Sequence, residues 1–329
     1  MGEAVEEALA RRGGRWVEAG APDYPDLGGL ENPPKRFCVR GSFCGAGRGP
    51  HRPAVAVIGA RRVDPAALEL ARRFGFALAR AGLTVVSGGA LGVDAAAHEG
   101  ALAAGGRTVA VLPSGVLRPH PPRNRALFAR ILAAGGGLCS ELEADARPIP
   151  WQIPERNRLI AALSRAVVVV RAARRTGCAH TVKAAHRLGR PIYAVPPPAE
   201  LAARWGYCAD LLGGLCEDAV ALPVRDPDDL LEALGVGAGR HDVGALGREE
   251  RLVVGALAGR AASLGAIAAA AGLSLGATAR ILAALCTRGL AAPAGPGRFA
   301  AVEAAGPALH PGARPARSDP PRSDASDRG

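Results

Sequence analysis

Between residues 54 and 196, short apolar runs alternate with stretches of helical periodicity. The runs at 54–59 (AVAVIG), 83–88 (LTVVSG), 108–113 (TVAVLP), 138–140, 166–170 (AVVVV) and 191–196 (PIYAVP) are continuously apolar or nearly so, as strands covered on both faces must be. Helical spacing fills the intervals at 65–80, 94–104, 126–134, 155–163 and 181–188. This repeat predicts an α/β fold, a Rossmann-like, doubly wound and mostly parallel sheet over residues 52–220.

The flanks follow other patterns. Residues 1–51 read as a short helical segment and a Pro-rich extended arm that ends in a small strand at 37–40. Residues 221–246, the acidic VRDPDDLLEALG followed by a Gly-rich stretch, read as a linker. Over 247–302, helical patterns at 248–258, 264–270 and 275–286 precede the hairpin-like GLAAPAGPGRFAAV, which predicts a small winged-helix domain. Residues 303–329, rich in Pro, Ser, Arg and Asp, are expected to be disordered.

Composition narrows the function classes. No apolar run approaches the roughly 20 residues of a membrane span, and the N-terminal MGEAVEEALARRGG lacks the apolar core of a signal peptide. A cytoplasmic protein without a membrane partner is expected. The seven cysteines, at 38, 44, 139, 178, 208, 216 and 286, are scattered, odd in number and never spaced C-x-x-C, so reduced thiols are expected and no metal site. The net charge of +11 and pI near 10.1 point to a polyanionic partner. Of the 41 basic residues, Lys35 and Lys183 alone are lysines, a bias that suits GC-rich coding in an Ala- and Gly-rich chain. A single arginine therefore carries less weight here than a cluster.

Two turns at strand C-termini stand where open α/β sheets bind ligands. In the first, Gly59 would let the backbone approach a phosphate and Arg61 would grip it with its planar fork. In the second, Ser87, Gly88 and Gly89 lead to a helix N-terminus, where free N–H groups favour anions; Asp94 is expected to cap that helix. Without a full G-x-G-x-x-G, and with no acidic residue ending the next strand to hold a ribose, no dinucleotide cofactor is expected. A third cluster, Arg156, Asn157 and Arg158, with Lys183 downstream, completes a basic cleft if it faces the same strand ends; ion-paired, solvated positions are the alternative for each. Glu141 has no second carboxylate beside it, and the histidines at 98, 120, 180 and 186 are isolated, so no catalytic residue is assigned. Aromatic residues are only 4% of the chain, so phosphate contacts are expected to outweigh base stacking.

The ordered pieces NPP at 32–34, VIGAR at 57–61, TVVSGGALGVDAAAHEGAL at 84–102, PPRNRAL at 121–127, PERNRLIAALS at 154–164 and GRPIYAVP at 189–196 resemble the DprA/Smf family. The resemblance implies a Rossmann-like domain that dimerises and binds single-stranded DNA in a basic pocket without cutting it. It also implies that the protein protects incoming DNA during transformation and loads the RecA recombinase. Arg61, Arg156 and Arg158 fall at basic positions of that pocket. The chain departs from the family at Arg171, where an acidic residue usually ends the strand, in TGCAHT at 176–181, at Pro197 and across 204–215.

Two other classes compete with this reading. Phosphoribohydrolases of similar fold, which act on nucleoside monophosphates, carry a catalytic Glu three residues after a Thr, where this chain has Ala184. A transcriptional regulator would suit the winged helix, but the recognition-helix segment is mostly Ala, Leu and Gly, with Arg280 and Arg288 its long polar side chains.

Overall fold

The computed structural model describes residues 2–42, 53–215, 219–236, 247–257, 262–287, 290–293 and 298–301. The expected disordered tail, the Gly-rich part of the linker and Arg288 lie outside the described residues. The chain opens with α1 (Gly2–Arg11), β1 (Gly14–Glu18) and β2 (Arg36–Gly41). The alternating core follows: β3 (Ala54–Ile58), α2 (Pro65–Arg80), β4 (Thr84–Ser87), α3 (Val93–Ala103), β5 (Thr108–Val111), α4 (Arg125–Ala133), β6 (Gly137–Ser140), α5 (Gln152–Ala162), β7 (Ala166–Val169), α6 (Cys178–Arg187) and β8 (Ile192–Ala194). Then come α7 (Gly206–Leu212), β9 (Leu222–Pro223) and α8 (Pro227–Ala233).

The nine strands form one sheet in the order β1-β2-β6-β5-β4-β3-β7-β8-β9. Every pairing from β6 to β9 is parallel, whereas β2 runs antiparallel to both β1 and β6. Every residue of β3 is buried, and the pleat sends alternate ones to opposite faces. Ala54, Ala56 and Ile58 join the core that includes Leu159 of α5 and Val182 of α6. Val55 and Val57 join Phe74 and Leu78 of α2 and Ala97 of α3 on the other face. Helices α2 and α3 pack backbone to backbone: a Cβ on Gly75 would stand 2.0 Å from the Ala97 carbonyl oxygen, and one on Gly100 would stand 1.9 Å from that of Arg72.

The N-terminal segment carries the expected helix as α1 and the expected small strand as β2, and adds β1, which pairs with β2 so that the two extend the sheet beyond β6. Two local readings change. The acidic stretch expected as linker holds β9 and α8, the latter started by Asp226, whose Oδ1 accepts from the amides of Asp228 and Asp229 at 2.9 and 3.0 Å, with Pro227 at the first turn. Asp94 does not cap α3; the cap position is Gly92, at φ +83°, and Asp94 lies inside the first turn. His98 packs as a buried group beside Thr108 at 2.6 Å, and burial holds its imidazole well down, at about 3.

The winged helix consists of α9 (Arg248–Leu257), β10 (Ala262–Ser263), α10 (Leu264–Ala271), α11 (Leu275–Thr287), β11 (Ala291–Pro293) and β12 (Arg298–Ala301). Its sheet has the order β10-β12-β11, and α10 and α11 meet at 105°. It has its own core around Val253, Leu257, Ile267, Leu282 and Leu285. Helix α11 also turns toward the large sheet: Ala283 is buried with Val224, Leu230 and Leu234. Arg280 lines a crevice with Asp229, Glu232 and Glu250. No single described helix is long and apolar enough to cross a membrane.

This docking predicts that Ala283→Arg, which drives a long side chain into a packed face, lowers stability by about 1–3 kcal/mol. Leu275→Ser, on an exposed position, leaves it unchanged. Identical unfolding midpoints for the two variants would contradict the docking.

Candidate nucleic-acid interface

The chain lays down β3, β4, β5 and β6 toward one side and then returns to the other side of β3 for β7, β8 and β9. At the C-terminal ends of β3 and β7 the connections therefore part in opposite directions, and a crevice opens between them. A cleft of about 580 Å³ occupies this position, lined by Ile58 to Arg62, by Ala173 and 175–178 after β7, by the start of α5, and by Arg204 and Trp205.

Its walls are held by close backbone fits. The Ala60 amide donates to the Arg171 carbonyl at 2.7 Å, and the Ala60 carbonyl accepts from Val93 at 3.3 Å. Gly59 is needed for packing more than for a ligand, because a Cβ there would come within 2.6 Å of the Val93 side chain. Gly92 likewise has no room for a side chain, with the Ala60 carbonyl oxygen 2.5 Å from where its Cβ would stand.

Arg156 forms the floor. It is 5% exposed, and its guanidinium donates to the carbonyls of Gly88, at 2.8 Å, and Val111, and to the Asn157 side chain, at 3.2 Å. Burial draws the guanidinium down to about 10, against which the carboxylate of Asp94 pulls it up; it remains charged at neutral pH. Asp94 is buried too, and burial pushes its carboxyl up while Arg156 and the Ala90 amide, at 3.3 Å, draw it down.

The Gly-rich turn is consequently occupied from within the fold. Ser87 Oγ donates to the Val57 carbonyl at 2.6 Å, and the Asn124 amide group donates to the carbonyls of Gly89 and Ala90 at 2.9 and 3.1 Å. Ser87, Gly88 and Gly89 are buried and do not line the cleft, because Asp94 takes the place an anion would need. Among the expected site residues, Gly59, Arg61, Arg156 and Asn157 meet in the cleft. Asn157 lines it while donating to the Gly177 carbonyl at 3.0 Å.

Arg158 and Lys183 do not reach the cleft. Arg158 is two positions from Arg156 on α5, about 200° around the helix, and it pairs with Glu141 at 2.5 Å on another face. Glu141 is spent on that pair and stands outside the cleft. Lys183 is exposed on α6.

The outward-facing charge comes instead from Arg61, Arg62, Arg175 and Arg204, all exposed on the cleft rim. None of the four makes an ion pair with a described residue, whereas Arg174, next along the chain, is clamped on Asp210 at 2.7 and 2.8 Å. Arg204 and Trp205 belong to the segment 204–215, which carries no motif of its own. Asp94 is the one carboxylate among the described residues lining the cleft, and no three His, Cys, Asp or Glu of the described chain cluster as metal ligands.

The family of DNA recombination-mediator protein A matches residues 15–235. Protein Smf of Synechocystis is 36% identical over 215 residues, 65% of this chain and 52% of that protein. A DNA processing protein DprA of Mycobacterium tuberculosis is 36% identical over 297 residues, 81% of this chain and 72% of that one. The chain thus spans about half the length of the first relative and nearly three quarters of the second. Among solved structures, DNA processing protein A of Helicobacter pylori, which has a single-stranded DNA binding mode, superposes with a TM-score of 0.56 at 26% identity, covering 67% of this chain and 95% of that one.

The two kinds of cleft arginine predict different outcomes on stability. Arg156→Ala strands the buried Asp94 and two carbonyls and costs about 3–5 kcal/mol, whereas Arg61→Ala stays within about 0.5 kcal/mol of the parent. Denaturant melts with the same midpoint for both variants would contradict these assignments.

Proposed function

The chain belongs to the DNA recombination-mediator protein A family, and from that membership we propose that it binds single-stranded DNA, without catalysing its cleavage, in the cleft between the ends of β3 and β7. In the cell this activity would be cytoplasmic, protecting incoming DNA and passing it to the RecA recombinase. The observation that carries the reading is the set of rim arginines, Arg61, Arg62, Arg175 and Arg204, left without a carboxylate partner among the described residues around a switch-point crevice. Four unpaired cations at one place repel one another and are useful only to a polyanion. Family membership selects which polyanion.

Division of labour follows from the geometry. Arg61 takes the leading phosphate contact, because it stands on a turn tied to both β7 and α3 and its fork is free. Arg156 and Asn157 shape the floor without reaching out. Helix α11 is docked on the large sheet, which favours a scaffold role over duplex reading and weighs against a transcriptional regulator. Homodimerisation is proposed through the edge that follows α7, expected over residues 211–216: Leu211 is buried in the core, and Leu215, 75% exposed, is the apolar side chain that edge presents.

Single-strand affinity is expected to fall with salt. Neutralising three to four phosphates gives a slope of about −2 to −3 in log K against log salt, or roughly 15- to 60-fold between about 50 and 200 mM. Arg61→Ala should weaken binding roughly tenfold or more, with Arg61→Lys recovering part, since the charge returns but the planar fork does not. Salt-independent binding, unaltered affinity in Arg61→Ala, or turnover of a nucleoside monophosphate would overturn the reading. For the dimer, light scattering at micromolar concentration should give twice the chain mass, falling to one in Leu215→Asp; a monomer with and without DNA would contradict it.

A further inference from the structure

One indole lies in the cleft wall. Trp205 is 2% exposed, and its Nε1–H, fully buried, has no hydrogen-bond partner. The ring is covered from the cleft side by its neighbour: the Arg204 guanidinium sits 4.7 Å from the ring centroid, and both residues line the cleft.

The two side chains are held very differently. The Trp205 amide donates to the Leu201 carbonyl at 3.0 Å, and the next residue, Gly206, has its open side filled by Arg174, whose atoms lie 2.8–3.1 Å from where a Cβ would be. Arg174 is in turn clamped on Asp210. The platform is thus fixed. Arg204 is exposed and makes no ion pair with a described residue, so the stacking contact alone locates its guanidinium.

Building on the single-strand reading above, we propose that Trp205 is a base-stacking platform and Arg204 its removable cover. A planar cation on the ring shows that this face accepts a flat group. A nucleobase is the flat group a DNA strand brings, and the strand's phosphates supply the anion that draws Arg204 off the ring. The exchange puts a base on the ring face in place of the guanidinium, and gives the displaced guanidinium charge-assisted bonds that it lacks in the free protein. Any of the four bases has the required face, so the contact adds affinity without adding sequence preference. It places one stacked base in a site where phosphate contacts are expected to outweigh stacking.

The test uses the full chain with Trp16→Phe and Trp151→Phe, which leaves Trp205 as its one tryptophan. Oligo(dT) and an abasic sugar-phosphate strand of equal length are titrated while labelled-strand anisotropy and tryptophan emission are recorded together. Oligo(dT) should quench Trp205 in step with binding, and the abasic strand should bind more weakly and leave emission unchanged. Trp205→Leu should abolish the preference for the base-bearing strand, roughly 5- to 100-fold in the parent, and Trp205→Phe should retain most of it. Arg204→Ala should keep the quench. Binding by anisotropy with Trp205 emission unaltered, or an equal preference for bases in Trp205→Leu, would overturn the platform while leaving single-strand binding intact. No binding of either strand would overturn both. Because the emission measurement needs no change at position 205, the outcome is decided even if Trp205→Leu fails to fold.

Discussion

A single buried guanidinium organises the ligand face of this protein. Arg156 spans from α5 to the carbonyls of Gly88 and Val111, at the ends of two neighbouring strands, with Asp94 of α3 close enough to offset its charge. Burying an unmatched guanidinium would cost far more than these carbonyls return, so the site holds only as a set: Arg156, Asp94 and the inward-facing carbonyls must be present together. Once they are, the Gly88–Ala90 turn is fixed, its polar groups are used, and the neighbouring crevice between β3 and β7 is left open as the candidate site.

The other arginines fall into two groups according to whether the fold gives them a carboxylate. Arg72 meets Glu69 and Glu99, Arg158 meets Glu141, and Arg174 meets Asp210. These exposed or half-exposed pairs add little to stability, but they remove charge from the field that a ligand would feel. Around the cleft no such carboxylates exist among the described residues except Asp94, already faced by Arg156. Four of the chain's exposed arginines thus gather where the sheet topology opens a crevice, with no carboxylate paired to them among the described residues.

The parallel core was legible from the sequence because β3 to β8 are buried on both faces and so leave unbroken apolar runs. Elements at the edges were harder to see. β1, with Gly14, Arg15 and Glu18 among its five residues, has too mixed a pattern to stand out, and α8 hides in an acidic run whose Asp226-Pro227 start signal was passed over. Position after a buried strand is enough to put Arg61 in the cleft. Arg156, expected to face a phosphate, is instead buried on backbone carbonyls, because residue type does not distinguish a buried strut from an exposed grip, and helical geometry turns Arg158 away from it. Arg204 and Trp205 carry no motif, since their place in the cleft depends on a loop returning from more than 140 positions beyond β3.

The most direct test of the switch-point cleft is photocrosslinking of a single strand carrying 4-thiothymidine, with the attached peptides located by mass spectrometry. Crosslinks concentrated at residues 58–62, 173–178 and 204–205, and lost at high salt, are predicted. Crosslinks concentrated on α10 and α11, with the cleft unlabelled, would contradict it.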